Sequence, residues 1–321
     1  MNHQSAHCTR SCPCVSKIAT ALLLLFAATS GASAGELKIS HNADGVMISE
    51  DGSTVLQYQL TPKSIDGKFT RSSYIHPLFD LNGEVITEDF PEDHLHHRGI
   101  FWAWHQVWVG DKKIGDPWLC KNFESKMVAQ GSRWNTDKSV TASATVVWHS
   151  SELMQDNQTI PIAQERVEVT VYPRADTYRI VEFQLEFLAL LPDVRVGGSE
   201  DAKGYGGFSP RIKLSEDQTF VSESKAIEPV KHAIDAGPWV DISTAKSGVA
   251  ILTHPSNPGS PEPWILRRKR SMQNARYPGR TPTTLSTDTP LVQRYQLVIH
   301  NGPTDSKLLN ELHSEFASSG K

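Results

Sequence analysis

Apolar and polar residues alternate with period two over long stretches of this chain. Val140, Ala142, Ala144, Val146 and Trp148 interleave with Thr141, Ser143, Thr145 and His149; Val167, Val169 and Val171 with Glu168 and Thr170; Val181, Phe183, Leu185 and Phe187 with Glu182, Gln184 and Glu186. Successive side chains of a strand point to opposite faces, so this pattern predicts antiparallel strands packed on one side and wetted on the other. The Pro173–Asp176 break suits a hairpin. Upstream, residues 36 to 60 read as two short strands around Ser49–Ser53, with Leu56, Tyr58 and Leu60 set against Gln57 and Gln59, and Pro62–Gly67 reads as a loop. Tyr74–Ile86 reads as a strand entering a turn at Asn82-Gly83, a strong hairpin signal. Residues 248–254 and 293–300 supply further strands, the latter setting Tyr295, Leu297 and Ile299 against Gln296, Val298 and His300, with a proline-rich basic loop from His254 to Pro290 between them. Only Asp305–Ser318 has helical spacing, with Leu308, Leu309, Leu312 and Phe316 on one face. Many short strands and one helix predict an all-β fold, a large antiparallel β-sandwich with a short C-terminal helix.

The first residues follow another pattern. A basic lead with Arg10 and Lys17 precedes the apolar run Ile18–Ala28 and the small residues Ala32-Ser33-Ala34, the arrangement of a secretory signal cleaved before Gly35. The run is shorter than the roughly 20 residues that span a membrane, and no later segment approaches that length. The expectation is an exported protein, periplasmic or extracellular, with residues 1–34 removed and 35–321 as a single β-sandwich domain. Cys8, Cys12 and Cys14 leave with the signal, so Cys120 remains as a single thiol and a disulfide framework is excluded. A formal net charge of −4, with no long basic block, argues against nucleic acid as a partner.

Candidate chemistry concentrates in Asp93-His94-Leu95-His96-His97-Arg98-Gly99, which runs on to Trp102, Trp104 and His105. Histidine titrates near neutral pH and is the commonest general acid or base, so His94, His96, His97 and His105 with Arg98 are the expected catalytic group. On an extended backbone His94 and His96 share one face, a way to present two imidazoles to a divalent metal, with Glu88, His76, His105 or His254 as the further ligand. Tryptophan faces beside polar groups suit sugar rings, which makes Trp102 and Trp104 candidate walls of a carbohydrate pocket. Gly204-Tyr205-Gly206-Gly207 lacks the spacing of a phosphate loop and reads as a place of close backbone approach, with Tyr205 and Arg211 as candidate binding residues. The Arg267–Arg270 run reads as solvated surface, with an acidic, uronate-containing glycan as the functional alternative.

Tyr74-Ile75-His76-Pro77, Gly83-Glu84, Glu88-Asp89-Phe90-Pro91, His94–Gly99, Trp102-Ala103-Trp104, Gly204–Gly207, His254-Pro255 and Pro263-Trp264 together resemble the PmoA-like family of secreted bacterial proteins. That family is catalogued as "methane oxygenase PmoA" and also as a domain of unknown function. The label implies a copper- or zinc-dependent oxidoreductase. The β pattern suggests instead, by analogy, the galactose-mutarotase-like supersandwich of aldose-epimerase-like and polysaccharide-processing proteins. The leading expectation is a carbohydrate-active epimerase, lyase or hydrolase working on a small-molecule or glycan substrate by histidine acid–base chemistry, against a metal-dependent oxidoreductase or a non-catalytic glycan-binding module. His76, Glu88, His94–Arg98, His105, Tyr205, Arg211 and His254 are expected to converge on one pocket walled by Trp102 or Trp104. Alanine at His97 or Arg98 should then remove function and leave stability nearly unchanged.

Overall fold

The alternating segments become a nine-stranded antiparallel sheet, in spatial order Glu124–Trp134, Val140–His149, Ala163–Val171, Tyr178–Ala189, Leu291–Asn301, Ser247–Thr253, Trp239–Ser243, Thr219–Ser222 and Lys225–Ala226. Facing it is a six-stranded sheet ordered Leu37–Asn42, Gly45–Glu50, Ser53–Gln59, Tyr74–Leu78, Ile100–Trp104 and Gly206–Pro210. This computed structural model describes residues 35–269 and 272–320. The signal-type segment and its cleavage point before Gly35, and Arg270, therefore lie outside or at the edge of the described residues. The described residues form one compact unit.

The inward rows of the two sheets meet in a shared core, as expected of a sandwich. Trp104 packs edge-on against Phe187 at 4.9 Å between ring centroids, and Phe208 stacks on Tyr295 at 4.2 Å and touches Phe183 at 5.1 Å. Charged groups also stand in these inward rows: Glu50 of one sheet pairs with Arg179 of the other, and Glu165 is a third. Glu165 is buried, and its two oxygens accept from Trp102 Nε1 (2.7 Å), Ser73 Oγ (3.0 Å) and Trp148 Nε1 (2.9 Å), which offsets the cost of desolvating it.

The helix Ser306–Ser318 begins where the Asp305 carboxylate accepts from Leu308 N at 3.0 Å. Its buried Leu309, Leu312 and Phe316 pack on Trp239, Ala250, Leu252 and Val298. That cover buries both faces of Ser247–Thr253 and Leu291–Asn301, where alternation alone predicts one wet face; Val298, apolar in the polar row, is the trace of it. Two further expectations need correction. Residues 36–60 hold three strands, because the chain also reverses after Asn42, and Lys63–Ile65 pairs with Lys68–Arg71 as a small hairpin in place of a plain loop. The long loop 254–290 is pinned by short pairings, Trp264–Ile265 with Asn274–Ala275 among them. No helix among the described residues is long and apolar enough to cross a membrane.

The Ile100–Trp104 strand positions the site. Trp102 and Trp104 turn into the inter-sheet core, while Phe101 and Ala103 turn the other way, into a separate apolar cluster with Tyr74, Trp118 and Met272. The histidines stand on that second cluster: His97 is 6.3 Å from Phe101 and 6.2 Å from Trp118, ring to ring.

Candidate functional site

Between Thr87 and Gly99 the chain leaves the sheet through a narrow neck. Glu88 N donates to Arg211 O (3.1 Å), Gly99 N to Glu88 O (2.7 Å) and Arg211 N to Gly99 O (2.7 Å), with backbone bridges Thr87–Ile212 and Asp89–Arg98. At Gly99, φ is +42° and a Cβ would stand 1.9 Å from the Ile75 carbonyl oxygen, so the crossing requires glycine.

Past the neck the chain makes two successive turns, His94 N donating to Pro91 O (2.9 Å) and His97 N to His94 O (2.8 Å). The expected extended backbone, with His94 and His96 on one face, is therefore replaced by a repeat of three. His94 and His97 stack at 4.5 Å with planes 5° apart, and His96 stands edge-on to both, at 5.7 and 4.5 Å. This arrangement bears on the metal expectation, because imidazole lone pairs lie in the ring plane. Parallel rings aim theirs side by side, so His94 and His97 cannot both meet one ion at about 2.0–2.1 Å. Among the described residues no group of three or more His, Cys, Asp or Glu side chains is arranged to hold a metal. The pair His94 and His96 thus lacks a third ligand.

The rings open on a cavity of about 670 Å³ whose wall is completed by His105, Trp118 and Tyr205. Trp118 holds the aromatic side together, with His105 stacked on it at 5.0 Å and Tyr205 tilted against it at 5.5 Å. Lys203, Lys231, Arg267 and Lys269 ring the opening, with Ser199 and Asp201 beside them. Two imidazoles are oriented by carboxylates: His94 Nδ1 lies 2.6 Å from Asp93 Oδ2, and His105 Nδ1 lies 3.1 Å from Asp116 Oδ2. In the neutral ring, Nδ1–H donated to the carboxylate leaves the Nε2 lone pair free, a tautomer assigned from the hydrogen bonding.

Burial, with charge behind the wall, sets the state of the other two rings. Burial, followed by the neighbouring His94, Arg71 and His105, lowers the pKa of His96 to about 4. Burial, with His96, His94 and Arg211, pushes that of His97 far below its ordinary value. Both are neutral at pH 7. Arg211, itself buried, donates from Nε to Glu88 (2.6 Å), from Nη2 to Asp93 (2.8 Å) and from Nη1 to His97 Nδ1 (3.3 Å). Burial raises the pKa of Asp93, but the hydrogen bonds and charges of His94 and Arg211 lower it by more.

The expected residues thus divide. His94, His96, His97, His105 and Tyr205 converge on one cavity. Arg211 stands behind it, holding His97 and Asp93 and paired with Glu88, and both line a smaller cavity of about 480 Å³ alongside. Trp102 and Trp104 do not form its wall, because strand alternation points them into the core; Trp118 takes that place. Arg98 is fully buried and does not reach the cavity, its guanidinium donating to Asp89, Tyr74 Oη and the carbonyls of Lys63 and Phe69. His76 is bonded to Thr87 Oγ1 at 2.9 Å, and His254 belongs to the helix end, with Ser256 and Ser319 as partners and Phe316 against its ring. A tighter cavity of about 320 Å³ on the core side of the same strand is lined by Arg71, Trp102, Trp148 and Glu165. The Glu165 oxygens there are already taken, so it offers less open chemistry.

Sequence reasoning passed over Asp93 and Asp116 as orienting carboxylates. The second was accessible: a hairpin Gln106–Val109/Lys112–Gly115 brings the residues flanking it, His105 and Asp116, side by side. Gly206 and Gly207 permit close packing and no ligand approach, since a Cβ at Gly206 would stand 2.8 Å from Trp104 Cδ1. In comparison with known proteins, residues 45–314 match the profile of a family described as a family of unknown function (DUF6807). The PmoA name is not attached to that match. No curated protein matches the chain.

Proposed function

The chain belongs to this family of unknown function, and from its own residues we propose that it is an exported, carbohydrate-active enzyme that moves a proton on a sugar by histidine acid–base chemistry. The observation that carries the reading is the pair of carboxylate-oriented imidazoles, Asp93–His94 and Asp116–His105, on one aromatic-walled cavity. An imidazole whose Nδ1–H is held by a carboxylate has a fixed tautomer, with the Nε2 lone pair free to take a proton and return it. Two such rings allow one to act as base while the other acts as acid, the common need of epimerisation, elimination and glycoside hydrolysis. Trp118 and Tyr205 supply the apolar surface on which a sugar ring lies, and the volume suits a small glycan. Export rests on the signal-type N-terminus. For the oxidoreductase that a PmoA-like resemblance implies, the expected pair His94 and His96 stands edge-on at 5.7 Å, and among the described residues no third His, Cys, Asp or Glu is grouped with it to hold a metal.

The test is a panel of mono- and oligosaccharides analysed for products by mass spectrometry and NMR, with His94→Asn and His105→Asn alongside the wild type. Loss of general acid–base catalysis should lower turnover by about 10²–10⁴-fold in each variant, with binding retained. Sugar binding without any product makes the protein a glycan-binding module, and undiminished turnover in both variants sinks the acid–base assignment.

A further inference from the structure

The opening of the cavity carries more positive charge than its own carboxylates compensate. Lys203, Lys231, Arg267 and Lys269 line it against one acid, Asp201. Asp201 is already engaged: its carboxylate lies 3.3 Å from Lys203 Nζ and accepts from Ser199 Oγ at 2.7 Å and Lys203 N at 3.0 Å. The carboxylates nearest the wall, Asp93 and Asp116, are held by His94, Arg211 and His105. Lys231 and Lys269 have no carboxylate partner among the described residues, whereas Arg268, between Arg267 and Lys269, turns away to pair with Glu228 at 2.7 Å. Arg267 is fixed in place differently. Its guanidinium donates to the carbonyls of Val230 (2.6 Å), Leu266 (2.8 Å) and Lys231 (3.0 Å) and lies 5.4 Å from the centre of the Tyr205 ring. Carbonyls orient the cation and leave its net charge in place.

On the reading of the site as a sugar pocket, we infer that its substrate class is the acidic glycans, with uronate carboxylates on successive sugar units meeting the Lys231, Arg267 and Lys269 side of the opening. Several features favour this ligand chemistry. The charges are separate point charges spread around a wide opening, which suits several monovalent anions better than one phosphate dianion. Carbonyls take up Nη1 and one donor of Nη2 of Arg267, so the guanidinium stands at the opening as a fixed positive charge. Further cations stand behind the histidine wall, where burial first and then Arg71 and Arg211 contribute to keeping His96 and His97 neutral. The His105 imidazole, held at Nδ1 by Asp116, also defines an accessible first step. The hydrogen on the carbon next to the uronate carboxylate passes as a proton to imidazole Nε2, and its electron pair is held as the enediolate of that carboxylate, beside the lysine and arginine cations. Return of a proton restores the sugar, so the step is balanced without any oxidant or other co-reactant.

The experiment uses the full mature chain and calorimetric binding of oligogalacturonate, mannuronate–guluronate and unsulfated glucuronate-containing oligosaccharides, each beside its carboxyl-reduced counterpart. A sulfated galactan of similar length and inorganic phosphate are the other anions. The expected result is binding of at least one uronate series, at least about tenfold tighter than its reduced form, and lost as salt shortens the screening length to about 3 Å. Lys231→Glu combined with Lys269→Glu should weaken it by roughly tenfold or more, with the thermal midpoint of the variant unchanged. In D₂O, deuterium should enter the bound uronate next to its carboxylate and not in His105→Asn. Equal binding of acidic and reduced forms overturns the acidic class and leaves the sugar reading standing. Sulfated galactan or phosphate binding as tightly as every uronate overturns the carboxylate assignment, and failure of all sugars, neutral and acidic, overturns both readings.

Discussion

Replacing Arg98 by alanine should unfold the neck of the histidine loop without any need to invoke a ligand. The side chain is fully buried, and its guanidinium donates to Asp89, to Tyr74 Oη and, at 3.1 Å each, to the carbonyls of Lys63 and Phe69. Its carbon also lies 3.4 Å from the centre of the Phe90 ring and 4.6 Å from that of Tyr74. Alanine leaves a carboxylate, a hydroxyl and two carbonyls facing a void. Removing one partner of a buried ion pair costs about 3–5 kcal/mol. The lower end applies here because the Asp89 side chain keeps 13% exposure and part of its hydration. A loss of about 3 kcal/mol is a large share of the roughly 5–15 kcal/mol by which domains are stable. At about 2–4 °C per kcal/mol for a domain approaching this size, the thermal midpoint should fall by roughly 6–12 °C. Scanning calorimetry on wild type and Arg98→Ala measures this, with Lys231→Ala as a surface control expected within about 0.5 kcal/mol of wild type. A midpoint unmoved in Arg98→Ala, together with lost ligand binding, would show that Arg98 reaches the ligand and that its assignment to the scaffold is wrong.

Gly99→Ala should lower the urea midpoint by an amount worth more than about 1 kcal/mol, because a Cβ cannot stand 1.9 Å from the Ile75 oxygen; an unchanged midpoint refutes the neck geometry. Glu165→Ala should cost more than Glu165→Gln, since glutamine keeps one acceptor, for the indole N–H of Trp102 or of Trp148, where alanine orphans both donors at about 1–3 kcal/mol each, and equal midpoints would contradict that network. On the acid side, the unfolded chain takes protons near the ordinary histidine value of 6.5 that folded His96, at about 4, refuses. Stability should therefore decline as pH falls from 6.5 toward 4, and His96→Asn should flatten that limb. His300 has the opposite sign: burial lowers its pKa, but the hydrogen bond and charge of Asp241 raise it by more. Its contribution is complete below 6.5 and lost as pH rises through the raised folded value, so a pH series of urea midpoints should lose this alkaline decline in His300→Gln.

The nine-stranded sheet was legible wherever one face of a strand is dry and the other wet, as in Val140–His149 and Tyr178–Ala189. Its edge strand Glu124–Trp134 was not, because an edge strand with exposed residues on both faces leaves no apolar period to read. Charged residues such as Lys126 and Arg133 suit an edge that must not pair with another chain. The site was legible as composition and illegible as geometry. Its turns depend on contacts with Ile212 and Arg211, distant in sequence, so spacing along the His94–His97 run could not reveal a repeat of three. His97 and Arg98 are both buried and adjacent, and direction separates them in role, one ring reaching the cavity and one guanidinium fixing the neck. The basic run was the reverse case. Read as solvated surface, it places Arg267 and Lys269 at the opening and only Arg268 against a surface carboxylate.

Arg211 links these two levels. Through Glu88 it is tied to the neck, through Asp93 to the orientation of His94, and through its third donor to Nδ1 of His97. A donor at Nδ1 fixes the His97 proton on Nε2, whereas a carboxylate at Nδ1 of His94 fixes that proton on Nδ1 and leaves Nε2 as the acceptor. The stacked rings at 4.5 Å therefore carry opposite tautomers, one presenting a donor and its neighbour an acceptor, an arrangement imposed by a single buried arginine. Two adjacent hydroxyls of a sugar, or a hydroxyl and a carboxylate oxygen, present a complementary donor and acceptor. This pairing follows from the fold behind the wall, and it leaves His94 and His97 chemically differentiated although their rings lie face to face.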